Sequence, residues 1–267
     1  MKKKENNSHG FVRHICYMLI AIVFWFAVWY IVALRVDSDL LFPSPFTVFN
    51  RVFELASEKQ FYMTLLVSLL RIVVGIVAAV VLGVILAILT ELIEPLRIIV
   101  HPAMTLIKAT PVASFILLAL VWISRTLIPV FIVILIVLPI IWGNISEGIR
   151  SLDRGIIEML RLYKVPLYKQ LIHFYIPSIA PYFRSALLSS SGLGWKSGVA
   201  AEVLTVPTYA IGKMLFEAKQ YLETVDLFAW TFAVIILSYG IEKFFSWLTK
   251  RIILTERRTR RGGELGA

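Results

Sequence analysis

Four ionisable residues stand out within long runs of apolar sequence: Arg71, Lys108, Lys196 and Glu202. A charge in hydrocarbon costs roughly 2.5–3.5 kcal/mol on insertion scales, so each needs water or an opposite charge. Lys196 and Glu202 are about 240° apart around a helix, so they are not expected to meet each other. Glu202 is therefore expected to pair with a basic residue of another span and to stabilise one state of a pathway. Lys196 follows Trp195 and is flanked by Gly194 and Gly198. It is placed either to line a pathway and attract an anion or to fill a gate. Lys108 precedes Pro111, whose break in the helix frees backbone carbonyls. There a contact with a carbonyl or a Glu competes with a lining role. Arg71 is expected to snorkel to the interface. No catalytic constellation accompanies these charges. His9, His14, His101 and His173 are scattered without metal-ligand spacing, and Ser189-Ser190-Ser191 has no base beside it. Those serines, like Gly194 and Gly198, suit close helix packing and hydrogen bonds between helices. Cys16 is the one cysteine, so no intrachain disulfide forms. No GxxxxGK[ST] phosphate loop occurs, so this chain is not expected to hydrolyse nucleotide.

The elements that must position these residues follow from composition. The 267 residues are 59% hydrophobic and 16% charged, with a mean hydropathy of +0.82. Windows of about 20 apolar residues span ~30 Å of hydrocarbon, which makes this an all-α polytopic membrane protein. Six transmembrane helices are expected, over about 15–34, 65–89, 103–123, 127–145, 182–204 and 225–248. The first has no small-x-small cleavage site and reads as an uncleaved span. Pro111 interrupts the third span and Pro139 lies inside the fourth. Residues 35–60 form a polar connection in which Pro43 and Pro45 fix a turn before an amphipathic, interfacial helix. Residues 91–102 are expected to form a short polar break, and residues 205–224 a polar connection. Residues 257–267 are expected to be a charged, disordered tail. Net charge is +10. With both termini inside, the inner segments hold 17 Lys and Arg, counted from Lys2 to Arg261, against six outside: Arg35, Arg51, Lys59, Arg125, Lys213 and Lys219. The basic excess thus follows the positive-inside rule rather than pointing to nucleic acid.

Between the fourth and fifth spans lies a polar, basic island over 147–181, cytoplasmic by that charge count. Ile156, Ile157, Leu160 and Tyr163 recur at helical spacing, with Arg154, Glu158 and Arg161 between them. Val165-Pro166 breaks this helix. A second amphipathic helix is expected over 167–175, ending at Pro177. Two short helices at a break form either a knob for a partner or a loop resting on lipid headgroups.

The island resembles the cytoplasmic coupling loop of ATP-binding cassette importer permeases. Glu158-Met159-Leu160 stands for its Glu-Ala-Ala, and Phe174-Tyr175-Ile176-Pro177 for its closing hydrophobic-Pro pattern. Lys164 replaces the usual Gly, and Leu160 replaces a small residue. Further stretches resemble the nitrate/sulfonate/taurine class: residues 40–49 (LLFPSPFTVF), Lys108 to Pro111, Gly194 to Glu202, and Leu227-Phe228-Ala229-Trp230. They occur in family order over about 11–254.

The resemblance implies a type I importer permease fold and one permease domain over 1–267. Its embedded core would be 11–254, its coupling loop 147–181 and its flexible basic tail 255–267. It implies a second permease copy, a separate ATPase subunit that binds the ATP, and an external substrate-binding protein, in a bacterial-type plasma membrane. No cofactor is implied for the chain itself. The ATPase contact would fall on Glu158, Met159, Leu160, Arg161, Lys164, Val165, Pro166 and Pro177. The pathway would involve Lys108, Pro111, Trp195, Lys196 and Glu202. The solute would be a small anion such as a sulfonate, nitrate or taurine, or a neutral metabolite such as a pyrimidine vitamin precursor. An ion-coupled secondary transporter and a membrane scaffold are the competing classes.

Overall fold

The computed structural model describes the backbone of residues 5–264 and the side chains of residues 16–249. Eleven α-helices follow one another, with no strand among the described residues. They are α1 (Glu5–Val36), α2 (Pro45–Ala56), α3 (Lys59–Leu92), α4 (Glu94–Ala109), α5 (Val112–Ala119), α6 (Ile128–Arg150), α7 (Arg154–Leu162), α8 (Leu167–Gln170), α9 (Ile176–Thr205), α10 (Ile211–Gln220) and α11 (Thr224–Glu264). Among the described residues, four helices are long and apolar enough to cross a membrane: α1 from Cys16, α3, α6, and α11 as far as Thr249. Helices α4 and α5 make a fifth if taken as one span, bent by 102° at Thr110-Pro111. At 30 residues α9 is long enough to cross, but its serines, glycines and charges leave it out of that apolar set.

The chain divides into two compact units. One comprises residues 1–62 and 214–233. There the expected interfacial helix α2 starts at Ser44, whose hydroxyl accepts from the Thr47 N–H at 3.2 Å, with Pro45 in the first turn. Trp29 Nε1 donates to the Pro43 carbonyl at 3.1 Å and so pins the preceding turn. Aromatic rings fill this unit: Phe26 stacks on Phe49, Trp29 on Phe228, and Phe49 meets Phe232 edge-on. Arg51 forks onto Asp226, with Nε donating at 2.6 Å and Nη2 at 2.9 Å, and also reaches Glu54. These hydrogen bonds, Asp226 first, raise the Arg51 guanidinium above its ordinary pKa and keep it charged.

The other unit comprises residues 63–213 and 234–267. Its core lies where α9 runs along α6, with Ile132, Val133, Val137 and Ile141 of α6 wholly buried. Small residues set these distances. A Cβ on Gly75 would stand 2.9 Å from Val133 Cβ, and one on Gly83 2.9 Å from Ile141 Cβ. A Cβ on Gly198 would stand 2.7 Å from Ile72 Cγ1. Gly194 abuts Val137 and Ile76 in the same way. Gly194 and Gly198 thus make the close crossings that the sequence predicts, and Gly75 and Gly83 make two more. At the other end of α3, Trp142 Nε1 donates to Thr90 Oγ1 at 3.0 Å. Arg150 donates to Glu91 Oε1 at 2.7 and 2.9 Å.

Several expectations change. Residues 91–102 are not a polar break. Glu94-Pro95 opens α4, where proline needs no N–H partner, and the helix carries Pro102 inside it. The connection over 205–224 contains α10. The helix expected to stop at Pro177 does not stop. A π-helical turn over Leu171–Tyr175 joins α8 to α9, and α9 continues through Pro177 and Pro181. Proline clashes with the carbonyl four residues back, and the widened π turn accommodates that defect without ending the helix. Residues 257–264, expected to be disordered, are helical. Arg and Glu are good helix formers, and no breaker precedes Gly262-Gly263. Residues 265–267 lie outside the described residues.

Candidate functional site

The buried end of α9 holds one polar cluster. Glu202 is 0% exposed and Arg71 8%. Arg71 Nη1 donates to Glu202 Oε1 at 2.5 Å, and Nη2 to the Thr208 carbonyl at 3.3 Å. The Ser68 hydroxyl donates to Glu202 Oε2 at 2.9 Å, and the Gly212 N–H to the same oxygen at 3.3 Å. Ser68 in turn accepts from the Ile211 N–H at 2.8 Å. The carboxylate therefore ties α3, the end of α9 and the start of α10. Arg71 does not snorkel to the interface, because its guanidinium turns inward onto a buried carboxylate. The basic partner expected for Glu202 is Arg71. Ser68 and Gly212 carry no sequence signal beyond the position of Ser68, three residues before Arg71 on the same helix face.

The loop closing this cluster is strained. Val206 and Tyr209 adopt φ 48° and 49°. A left-handed conformation costs a non-glycine residue about 1–2 kcal/mol, and a β-branched one suits it worst. The Val206 N–H still bonds the Glu202 carbonyl at 2.9 Å, closing α9. Between Tyr209 and α10 the chain passes against α9 so closely that a Cβ on Gly212 would overlap Glu202 Cβ and Val203 N. Buried ionic contacts thus hold a conformation that local sequence alone disfavours.

The other expected pathway residues scatter. Trp195 is 0% exposed, and its Nε1 donates to the Val234 carbonyl at 3.2 Å, so it is a packing residue rather than a lining one. Glu202, as described, faces no open space either: the cluster's own donors occupy its oxygens. Lys196 is exposed in a cleft of about 490 Å³ between α9 and α11. Lys108 and Pro111 are exposed at the bend. Neither contact expected for Lys108 forms among the described residues; its ammonium lies over Gly143, where a Cβ would be 3.5 Å away. Ser189, Ser190 and Ser191 donate to carbonyls of their own helix rather than across helices.

The island is built oppositely. Asp153 caps α7, its carboxylate accepting from the Gly155 N–H at 2.8 Å and the Ile156 N–H at 3.4 Å. No residue of α7 is buried. Met159 and Ile156 are exposed, and Leu162 is 79% exposed. Glu158 and Arg161 are exposed as well. Lys164 takes φ 52°. Its N–H donates to the Arg161 carbonyl at 3.0 Å, and the Val165 N–H to the Leu160 carbonyl at 3.0 Å. This pair of bonds is the Schellman cap, in which glycine normally occupies the left-handed position. Lys164 therefore takes the backbone conformation expected of the glycine it replaces, and Pro166 stops the helix directly after it. Leu160 and Val165, the two positions that usually carry the apolar contact of this cap, are both half-buried. Gln170 Nε2 bonds the Val165 carbonyl at 2.7 Å and braces the turn. Pro177 lies in the first turn of α9.

Apolar helices long enough to cross a membrane, a buried ion pair and a capped helix with no buried residue describe a helical membrane protein with one uncovered amphipathic helix. The chain belongs to the family described as binding-protein-dependent transport system inner membrane component, whose model matches residues 79–254. It is thus a multi-pass membrane component of an importer, and membership implies an ATPase subunit and a substrate-binding protein as partners. A putative aliphatic sulfonates transport permease protein of Bacillus subtilis (strain 168) is 21% identical over 255 residues, 94% of this chain and 90% of that protein. Its counterpart in Escherichia coli (strain K12) is 28% identical over 188 residues, 70% and 71% of the two chains. A crystal structure of a bacterial ABC transporter involved in import of the acidic polysaccharide alginate matches with TM-score 0.63 at 14% identity, covering 94% of this chain and 99% of that one. At that identity the likeness shows the fold.

Proposed function

We propose that two copies of this chain form the pathway for a small anionic solute of the sulfonate kind, each copy driven by an ATPase docked on its α7. The chain crosses the membrane six times, with α4 and α5 as one broken crossing and α9 as another. Both termini and the island lie in the cytoplasm, where basic residues concentrate. The binding protein delivers solute from outside. ATP is bound by the separate ATPase, and the chain needs no cofactor of its own.

The observation that carries this reading is α7. An amphipathic helix held rigid at both ends, with none of its apolar side chains buried, is a groove-filling helix waiting for a partner. Glu158, Met159, Leu160 and Arg161 would touch the ATPase. Lys164, Val165 and Pro166 would fix the angle at which α7 is presented, and Pro177 would mark the start of the helix that receives the motion. The Arg150–Glu91 contact roots the island on α3 and α6, so displacement of α7 reaches the core through packed helices. Anion selectivity is supported by exposed Lys196 and by relatives named for aliphatic sulfonates. Lys108 and Pro111, exposed at the α4–α5 bend, would line the same route.

The test is reconstitution with the ATPase and the binding protein. Stimulation of ATP hydrolysis by loaded binding protein is expected. Lys196→Ala should lower anion uptake while assembly with the ATPase survives. Normal uptake by that variant would remove Lys196 from the pathway. Failure to co-purify with an ATPase would favour a scaffold or an ion-coupled carrier instead.

A further inference from the structure

The cleft beside Lys196 contains more than one charge. Glu242 and Lys243 of α11 open into it with Tyr239, opposite Gly192 and Lys196 of α9. All three charged side chains are exposed. Among the described residues Lys196 and Glu242 make no hydrogen bond or ion pair, and the contact given for Lys243 is with the Tyr239 ring, 5.2 Å from its centroid. Glu242 reaches across to α9 because Gly192 has no side chain, since a Cβ there would be 2.9 Å from Oε1. Three ionisable side chains converge, therefore, on one concave surface between two membrane-length helices.

Depth narrows what can fill this space. In the sequence the apolar run of α11 ends at Thr249, directly before Lys250-Arg251. Lys243 lies six residues before that end, ~9 Å along a helix, and Tyr239 ten residues before it, ~15 Å, which is half of a ~30 Å hydrocarbon core. Lipid phosphates sit outside that core, so they are poorly placed for the deep end of the cleft. Charged side chains at this depth call for water or an ionic ligand.

We propose that this α9–α11 cleft is a transient site for a small oxyanion in transit, held by Lys196 and Lys243, with Glu242 as a tethered competitor. This rests on the transport reading above and adds its selectivity device. With Glu242 present, the cleft carries a net charge of +1 rather than +2 by residue count. An anion can enter on the lysines, but it leaves readily because the carboxylate reclaims them. A transport site needs that balance, since tight binding stalls passage. Tyr239, with Lys243 over its ring, orients that ammonium.

The experiment titrates trifluoromethanesulfonate, followed by 19F NMR, into the full-length chain in phosphatidylcholine nanodiscs. Neither ATPase nor binding protein is present, so loss of coupling would leave the titration readable. The unsubstituted chain should bind weakly. Lys196→Met with Lys243→Met should weaken binding by about tenfold or more, and Glu242→Gln should tighten it by about tenfold, because one nearby like charge is removed. In the assembled importer, Glu242→Gln should slow uptake despite the tighter site, while binding-protein-stimulated ATP hydrolysis persists. Opposite signs for the lysine and glutamate variants separate the proposal from general misfolding. Unchanged or weaker binding in Glu242→Gln would overturn it, as would full binding in the double lysine variant. Phosphatidylglycerol that displaces the probe and co-purifies in a lysine-dependent manner would reassign the cleft to lipid and also overturn it.

Discussion

The Arg71–Glu202 cluster and the α7 island use the same kinds of residue to opposite ends. In the cluster, carboxylate, guanidinium and hydroxyl find partners on three helices and exclude solvent. In α7, Glu158, Arg161, Ile156 and Met159 face outward and no residue is buried. One region has its polar groups satisfied within the chain; the other leaves its apolar side chains uncovered. The contrast teaches where to look for a partner in a membrane protein. A charge buried in the bundle reports internal architecture, whereas an amphipathic helix with an uncovered apolar face is, on the reading proposed above, where a second protein docks. Strain follows the same division. Val206 and Tyr209 are held left-handed beside a buried ion pair, while Lys164 is held left-handed by a local cap that needs no tertiary support.

Substitutions can break or sharpen this comparison. The largest effect on folding is expected at Glu202. Glu202→Leu strands Arg71 in the core and should cost about 3–5 kcal/mol, read as a large fall in thermal midpoint and in yield of folded protein in detergent. Arg71→Met combined with Glu202→Leu should recover most of that loss, because an apolar pair of similar volume is often no less stable. If the double variant is as unstable as the single one, the ion pair is not what that region depends on.

Gly212→Ala comes next. Its methyl group must displace Glu202 or the α9 backbone, and a loss of roughly 1–3 kcal/mol is expected, the usual range for overpacking. A variant of unchanged stability would show that the α9–α10 corner yields freely. In the island, Glu158→Lys should leave the thermal midpoint within experimental error, since the exposed side chain makes no hydrogen bond or ion pair among the described residues, yet should uncouple hydrolysis from uptake. The smallest effect is at Lys164. Lys164→Gly relieves a left-handed cost of about 1–2 kcal/mol but returns roughly 0.5–1 kcal/mol of chain entropy, for a net gain under about 1.5 kcal/mol. A lower midpoint would mean that the lysine side chain itself is needed.

What the sequence made legible follows the same contrast. Apolar length reveals α1, α3, α6 and α11, and the patterning of Ile156, Ile157 and Leu160 reveals α7 with its Val165-Pro166 stop. The need of Glu202 for a basic partner follows from the cost of a charge in hydrocarbon. Which residue answers it does not, because one sequence gives the depth of Arg71 along its helix but not its neighbours. Proline misleads at Pro95, which opens a helix, and at Pro177, which does not end one, while Pro111 marks a bend whose 102° no local rule supplies. Trp195 sits among signature residues and invites a pathway role, yet its ring is core. The departure at Lys164 makes sense only from its φ angle and the two capping bonds around it.

The most direct test of the central claim, that α7 is the coupling contact, is the ratio of solute imported to ATP hydrolysed by the reconstituted importer carrying Glu158→Lys. The account predicts a sharply lowered ratio with an unchanged thermal midpoint of the permease. An unchanged ratio at an unchanged coupled rate would contradict it and place the ATPase contact elsewhere on the chain.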